Sequence, residues 1–340
     1  MNKAMQYIAI IDVGHGNSTV IKDVSEVIIV DCGARGAGLL QFLEQEGIFE
    51  IDAVFLSHSD QDHIGGLIAL ISYAKFTIKS VYLNSDSSKG SRMWDDLVYS
   101  LSESNKIGSL KNFTVGLSRQ LFKWTSISLD VVGPDKYLIA KGAGSTDRRG
   151  REITSNSMSA SFKIKWEDKV IAYLAGDIDQ VGLDILIDDK IDLNAQVLVF
   201  PHHGGKSGNY DITEFTRQLC SLVNPEVVLF SIGRNKHDNP KKEVIDAIRS
   251  LIPHASIGCT QLSKTCAKVL PTSLPSHLNN LFANGREKNQ CCAGTFLIVM
   301  GEKIQYFPTQ TAHLQFIQKF APTCLCSVNS QLVTAVKNIP

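Results

Sequence analysis

The chain has 340 residues, the length of one large α/β domain with insertions or of two average domains. Its 34 Lys+Arg equal its 34 Asp+Glu, which excludes a globally basic, nucleic-acid-coating protein and leaves room only for a local basic groove. At 44% hydrophobic and 20% charged it carries ample apolar material for a core, which excludes disorder as its main state.

In chain order, Tyr7–Val13, Ser18–Ile21 and Val27–Asp31 read as strands, the first two parted by Gly14-His15-Gly16. Residues 36–47 carry Leu39, Leu40, Phe42 and Leu43 between glycines and predict a short helix. Ala53–Leu56 predicts a buried strand and Ile64–Tyr73 a helix. The Ser- and Asn-rich stretch 84–118, with one helical patch (Trp94, Leu97, Val98, Leu101), reads as an insertion. Strands return at Ile127–Val132, Met158–Ile164, Val170–Ala175 and Val197–Phe200, with helices at Val181–Leu186, Ile212–Leu222 and Glu243–Leu251. Val227–Ser231 and Thr295–Val299 are the last strands expected. One domain is expected over 1–308, then a tail over 309–340 with helical spacing at Leu314, Ile317 and Phe320. The alternation of strands and helices predicts a layered α/β fold. No apolar run approaches the roughly 18 residues of a membrane span, and no signal peptide is recognisable, so a cytoplasmic protein away from the membrane is expected.

Chemistry concentrates where strands end. After the apolar Ala53–Leu56 run come His58, Asp60, Asp62 and His63, two imidazoles and two carboxylates, followed by Gly65-Gly66. Helix capping explains one such carboxylate, not the set. Asp177 follows a strand within Leu174-Ala175-Gly176-Asp177, and Pro201-His202-His203-Gly204-Gly205 follows the next. A third patch, residues 233–240, carries Asn235 and His237. Five of the nine His thus stand at strand ends or in loops just after them, which points to a metal hydrolase.

In that order, these motifs resemble the metallo-β-lactamase fold, and most closely its ComEC-like branch, the hydrolase domains of DNA-uptake channel proteins. Asp12-Val13-Gly14-His15-Gly16-Asn17 is similar to that branch's Asp-Val-Gly-Gln-Gly-Asp opening, Asp31-Cys32-Gly33 to its Asp-x-Gly, and Asn156-Ser157-x-Ser159 to the stretch before its Gly-Asp strand. The resemblance covers about residues 6–300 and implies an αββα sandwich with the site along one edge. The wider family's His-x-His-x-Asp-His has Asp60 at its second His, and Asn156-Ser157 stands in the stretch where that family has a further His; the ComEC-like branch shares both departures. The channel-forming membrane part is not expected in this chain, so the resemblance carries no transport function.

The resemblance implies two divalent ions, Zn²⁺ or Mn²⁺. His58 and Asp60 would hold one, Asp62 and His63 the second, with Asp177 bridging and His202 completing the second site. His203 and His237 would touch substrate or protonate a leaving group beside the catalytic Asp62, and Lys206, Ser207 and Asn235 would contact a phosphate. Asp31 would orient a ligand imidazole, or is a structural turn residue; Asn156 would stand behind the ligands. Two metals about 3.5–4 Å apart suit displacement at phosphorus. A phosphodiesterase, most simply a nuclease, is therefore expected. The alternatives are hydrolysis of a cyclic nucleotide, phosphocholine ester or lactone, or a metal-stabilised subunit of an assembly that docks a protein partner through the 309–340 tail. Arg148, Arg149 and Arg151 read equally as a grip on a nucleic-acid backbone or as a solvated loop. Six of the eight Cys lie beyond residue 258. The spacing Cys259-x6-Cys266 suits zinc poorly, so buried thiols are expected there.

Overall fold

The structure, a computed structural model, describes residues 5–206, 208–234 and 236–326. Its first half runs β1 (Tyr7–Ile10), β2 (Ser18–Lys22), β3 (Val27–Cys32), α1 (Gly36–Gln45), β4 (Glu50–Ile51), β5 (Ala53–Phe55), α2 (Gln61–Ser72), β6 (Thr77–Ile78), β7 (Ser80–Leu83), α3 (Arg92–Lys106) and β8 (Asn112–Val115). Then come β9 (Gln120–Lys123), β10 (Ile127–Gly133), α4 (Lys136–Lys141), β11 (Ser161–Trp166), β12 (Lys169–Leu174), α5 (Gln180–Asp188), β13 (Val197–Val199) and α6 (Ile212–Val223). The remainder is β14 (Val227–Phe230), α7 (Lys242–Leu251), β15 (Ser256–Cys259), β16 (Phe296–Val299), β17 (Gln305–Phe307) and α8 (Gln310–Phe320).

Two sheets face each other. The first has the order β17-β16-β1-β2-β3-β5-β7-β8 and the second β15-β14-β13-β12-β11-β10-β9. Between them lie Ile8, Ile10, Ile28, Phe55, Leu129, Phe162, Ile164 and Leu174, all buried. The outer face of the first sheet is covered by Leu39 and Phe42 of α1, Ile64 and Leu67 of α2, and Leu97 and Leu101 of α3. The outer face of the second is covered by Leu183 of α5, Phe215 and Leu219 of α6, Ile245 and Ile248 of α7, and Ile317 of α8. This is the expected αββα sandwich. β3 is buried along its whole length because both its faces are covered, which is why it reads as an unbroken apolar run rather than an alternating one. Each sheet changes from antiparallel to parallel pairing, at β3–β5 in the first and at β12–β13 in the second. The carboxyl ends of β5, β12, β13 and β14 therefore deliver their loops together.

The structure corrects several of the element expectations. Residues 84–118 supply α3 and an edge strand, with β8 pairing in parallel along β7 from Ser80–Asn112 to Leu83–Val115. β7, β9, β15 and β17 gave no strand signal in the sequence. All are three or four residues long, β9 and β17 have no fully buried residue, and β15 contains Gly258. The strand expected from Met158 begins at Ser161, because Ser157 Oγ is tied up with Thr154 and with Asp179 Oδ2 at 2.6 Å in a turn. α8 follows the helical spacing of Ile317. Residues 327–340, the rest of the expected tail, lie outside the described residues.

Candidate metal centre

The first ligands leave β5. Asp31, at the end of β3, has φ 57°, a left-handed conformation that is costly for a residue with a Cβ and is typical of functional positions. Its carboxylate accepts from Ser57 N–H at 2.8 Å, from Ser57 Oγ at 2.8 Å and from His63 Nδ1 at 2.7 Å. With the Ser57 proton committed to Asp31, His58 Nδ1 donates to Ser57 Oγ at 3.0 Å, which leaves the lone pair of His58 on Nε2. His63 likewise turns Nε2 outward, 3.6 Å from Asp177 Oδ2. Both Nε2 atoms are buried and have no hydrogen-bond partner.

The facing wall comes from the second sheet. Asp177 follows β12, its N–H donating to Ser159 Oγ at 2.9 Å. His202 and His203 occupy consecutive left-handed positions, φ 51° and 55°, in the turn after β13. That turn closes because the next residue is Gly204: a Cβ there would stand 2.6 Å from Pro240 and 2.7 Å from Phe230. His202 N–H donates to Asp177 Oδ1 at 2.9 Å, and His203 Nε2 lies 3.0 Å from Asp62 Oδ2. From the β1–β2 turn, His15 Nε2 reaches within 3.4 Å of Asp62 Oδ2. Gly16 permits this approach, since a Cβ at its φ of +121° would stand 2.2 Å from the Asp62 carbonyl oxygen.

Two groups of potential ligand atoms result: His58, His63 and Asp177, and His15, Asp62 and His203. Their charges are coupled. Burial opposes ionisation of Asp177, but His63, His202 and His203 overcome it and hold the carboxyl well below the usual range. Burial likewise opposes the charge of Asp62, and the His203 hydrogen bond with nearby His63 outweighs it. Burial also works against a charged His63, yet Asp31 and Asp177 lift it well above the ordinary imidazole value. Burial lowers His58 to about 4, with His63 adding to the effect, and lowers His15 to about 4, with His203 adding to it. The cleft thus offers two ionised carboxylates, two neutral imidazoles with free lone pairs, and two imidazoles, His63 and His203, whose raised proton affinity supplies positive charge the carboxylates demand. A divalent cation supplies that charge better, and the unpartnered Nε2 atoms fit one.

Other candidates lie at varying distances from this centre. Asp60 forms an ion pair with Lys89, and its Oδ1 stands 3.9 Å from His58 Nε2. His202 Nε2 donates to the Ile178 carbonyl at 3.2 Å, which leaves Nδ1 facing Asp177 Oδ2 at 3.6 Å. His237 is exposed, its ring 5.0 Å from that of His15. Lys206 is exposed beside the His202–His203 turn; Ser207 and Asn235 lie outside the described residues. Asn156 donates its N–H to Thr154 Oγ1, and its own Oδ1 is buried without a partner. Arg149 pairs with Asp184 and Asp188, Arg151 with Asp147 and Asp184, and Arg148 lies over the Tyr137 ring at 5.3 Å. Sequence reasoning missed His15, Ser57, Ser159 and Lys89. A His between two glycines after a strand was the available signal for the first and the Asn156-Ser157-x-Ser159 stretch for Ser159; Ser57 and Lys89 reveal themselves only through contacts.

The family model described as "Metallo-beta-lactamase superfamily" matches residues 11–218. Among curated proteins, the chain is 21% identical over 245 residues to Competence protein ComA of Neisseria gonorrhoeae, covering 70% of this chain and 29% of that one. It is 23% identical over 212 residues to ComE operon protein 3 of Bacillus subtilis, covering 62% of this chain and 24% of that one. It is 26% identical over 244 residues to Recombination protein 2 of Haemophilus influenzae, covering 69% and 25%. The chain spans about a quarter of the length of these relatives. Among solved structures, the metallo-beta-lactamase fold protein YhfI from Bacillus subtilis matches at a TM-score of 0.46 with 12% identity, over 74% of this chain and 96% of that one. Among the described residues, no helix is long and apolar enough to cross a membrane.

Proposed function

The chain belongs to the metallo-beta-lactamase superfamily, with a ComEC-like resemblance, and from that premise we propose that this hydrolase is a two-metal phosphodiesterase acting on nucleic acid. The observation that carries the reading is the pairing of two three-ligand groups whose carboxylates meet at one imidazole: His203 Nε2 stands 3.0 Å from Asp62 and 3.9 Å from Asp177. His58, His63 and Asp177 would hold one cation, with His202 Nδ1 beside them, and His15, Asp62 and His203 the other. Four imidazoles and two carboxylates form a set richer in nitrogen than the sequence pattern suggested, which favours Zn²⁺ over Mn²⁺. Such a pair of ions lowers the pKa of water and neutralises charge on a phosphodiester.

The protein's own groups do the rest. Asp31 and Ser57 fix the tautomers of His63 and His58, so that Nε2 of each faces the cleft. Ser159 holds the Asp177 backbone in place. His237, exposed at the mouth, is placed to give a proton to a leaving oxygen, and Lys206 to meet a phosphate. The names of the relatives, a competence protein and a recombination protein, point to DNA as the polymer. One observation favours a second reading, a small phosphodiester: two of the three guanidiniums in the 146–151 loop are already neutralised by carboxylates of this chain.

The test is turnover of single- and double-stranded DNA, RNA and bis(4-nitrophenyl) phosphate by protein stripped with chelator and reloaded with Zn²⁺ or Mn²⁺. Cleavage of the small diester and of a polymer, both abolished by chelator, is expected. Cleavage of the small diester alone supports the second reading, and turnover of none of them overturns both.

A further inference from the structure

One charged side chain of the cleft plays no part in the two candidate cation sites. Lys89 reaches in from the loop after β7, and its ammonium donates to Asp60 Oδ1. Among the described residues it is the only Lys or Arg that pairs with Asp31, Asp60, Asp62 or Asp177. The same Oδ1 stands 3.9 Å from His58 Nε2, which is buried without a hydrogen-bond partner. Asp60 gives up a local partner to stand there. It is the N-cap residue of α2, where an Asp carboxylate ordinarily accepts from the first free N–H groups of the helix. Here the side chain makes no capping hydrogen bond and meets Lys89 instead.

The loop that carries Lys89 is built around a second carboxylate. Asp86 is buried, and its Oδ2 accepts from Ser59 Oγ and from Ser155 Oγ, both at 2.5 Å. Its Oδ1 accepts from the Ser88 N–H at 3.1 Å and from Ser88 Oγ at 2.6 Å, and the Lys89 N–H donates to the Asp86 carbonyl at 3.3 Å. Burial opposes the charge of Asp86, and the hydroxyls of Ser155, Ser59 and Ser88 outweigh it. Ser59 belongs to the loop after β5 and Ser155 to the turn before β11, so Asp86 fastens the Lys89 loop to both walls of the cleft. A part-exposed ion pair adds too little stability to account for such a fixture. A lysine held at a fixed place on the rim does account for it.

We propose that Lys89 is a phosphate-binding residue, released from Asp60 when a divalent cation occupies the His58 side of the cleft. The inference rests on the two-metal phosphodiesterase reading and adds a contact to its substrate. With positive charge placed at His58 Nε2, the Asp60 carboxylate is drawn toward it and the ammonium is repelled, so the ion pair loosens as the site fills. The freed ammonium stands at the edge of the cleft, where it donates to a non-bridging oxygen of a phosphodiester. This sets Lys89 apart from Arg149 and Arg151. The carboxylates that hold those guanidiniums, Asp147, Asp184 and Asp188, have no imidazole within ion-pair distance among the described residues, so nothing in the cleft competes for them.

Lys89→Gln tests the exchange, because two binding constants should move in opposite directions. The probes are Zn²⁺ added to chelator-stripped protein and inorganic phosphate added to zinc-loaded protein, both read by calorimetry without turnover. Zinc, freed of the competing ammonium, should bind about threefold more tightly. Phosphate should bind about tenfold more weakly for want of one charge-assisted hydrogen bond, and Lys89→Arg should restore it. A merely structural role for Lys89 would weaken both. Zinc binding that does not tighten in Lys89→Gln, or phosphate binding that stays at the parent value, would overturn the proposal, as would a zinc-loaded parent that binds no phosphate. Phosphate binding that depends on Lys89 in a protein that cleaves no diester supports the contact and removes the phosphodiesterase reading.

Discussion

The cleft and the thiols beyond residue 258 answer the same electrostatic problem in opposite ways. In the cleft, negative charge is built in: Asp62 and Asp177 are ionised and draw protons onto nearby imidazoles. Around the thiols, burial instead raises Cys259 and Cys292 and keeps them neutral, while Arg234 and Arg249 donate to backbone carbonyls. The cleft also holds left-handed backbone at Asp31, His202, His203 and His237, whereas none of Cys259, Cys266, Cys292, Cys324 and Cys326 has a positive φ. Left-handed residues of this kind cost about 1–3 kcal/mol each and persist where the surrounding structure imposes them. The cleft combines strained backbone with unpartnered lone pairs, whereas the cysteines sit unstrained in a packed core.

The contrast breaks most completely at Asp177. Asp177→Ala removes the carboxylate that faces His63, His202 and His203, and leaves a buried imidazole charge without its partner. Activity should fall by more than the roughly 10–100-fold typical of residues that only support ligands. Metal bound in the cleft should fall as well. Metal analysis reads this, and full metal occupancy in this variant would remove Asp177 from the ligand set. Asp31→Asn acts one step back. It keeps the shape but weakens the acceptor of His63 Nδ1 and of Ser57, so cation affinity should drop about 10–100-fold. An unchanged affinity would make Asp31 a turn residue only.

How much of this the sequence disclosed depends on where each residue's information lies. His58, Asp62, His63, Asp177 and the His202–His203 pair were legible because strand ends deliver polar residues to a common edge. Which atoms meet was not. The grouping of Asp62 with His15 and His203, and of His63 with His58, depends on the left-handed turn at His202–His203 and on Gly16 letting the first turn lie on α2. The Lys89–Asp60 pair joins residues from different loops, and no local pattern encodes it. In the fold, long buried strands such as β3 announced themselves. β8 and β9 did not, because edge strands largely open to solvent need not alternate.

Protons sharpen the comparison further. Without a cation, His63 holds a proton between Asp31 and Asp177, its pKa raised above the unfolded value of about 6.5. Its contribution to the stability of the cation-free protein is therefore full below that pH and is lost as pH rises through the elevated folded value. His15 and His58, lowered to about 4, titrate below this window. Cation affinity runs in the opposite direction, because cation and proton compete for His63 Nε2. Zinc affinity at the cleft should rise with pH up to the elevated folded value of His63, by about tenfold per pH unit for each proton displaced, and level off above it. Calorimetry in buffers of different ionisation enthalpy reads that proton release directly. Binding without proton release at neutral pH would show that His63 is neutral beforehand.

The smallest expected effect concerns the 146–151 loop, where charge has already been neutralised within the chain. Arg149 Nη2 lies 2.7 Å from Asp188, and Arg151 Nη1 lies 2.5 Å from Asp184. Arg148 rests on Tyr137. Surface pairs of this kind contribute about 0–1 kcal/mol each, so replacing all three Arg by Gln should lower stability only modestly. The effect on polymer binding is the informative measurement. A phosphate contact to duplex DNA contributes about 0.9 to the slope of log affinity against log salt, so three contacts contribute about 2.7. Guanidiniums already bound to Asp147, Asp184 and Asp188 release few counterions, and the triple variant should keep nearly the parent slope and turn over bis(4-nitrophenyl) phosphate at the parent rate. A drop in slope of two units or more would mean that DNA displaces those carboxylates. The loop would then be a polymer clamp held closed by its own acidic partners, and the second, small-diester reading would lose the observation that favours it.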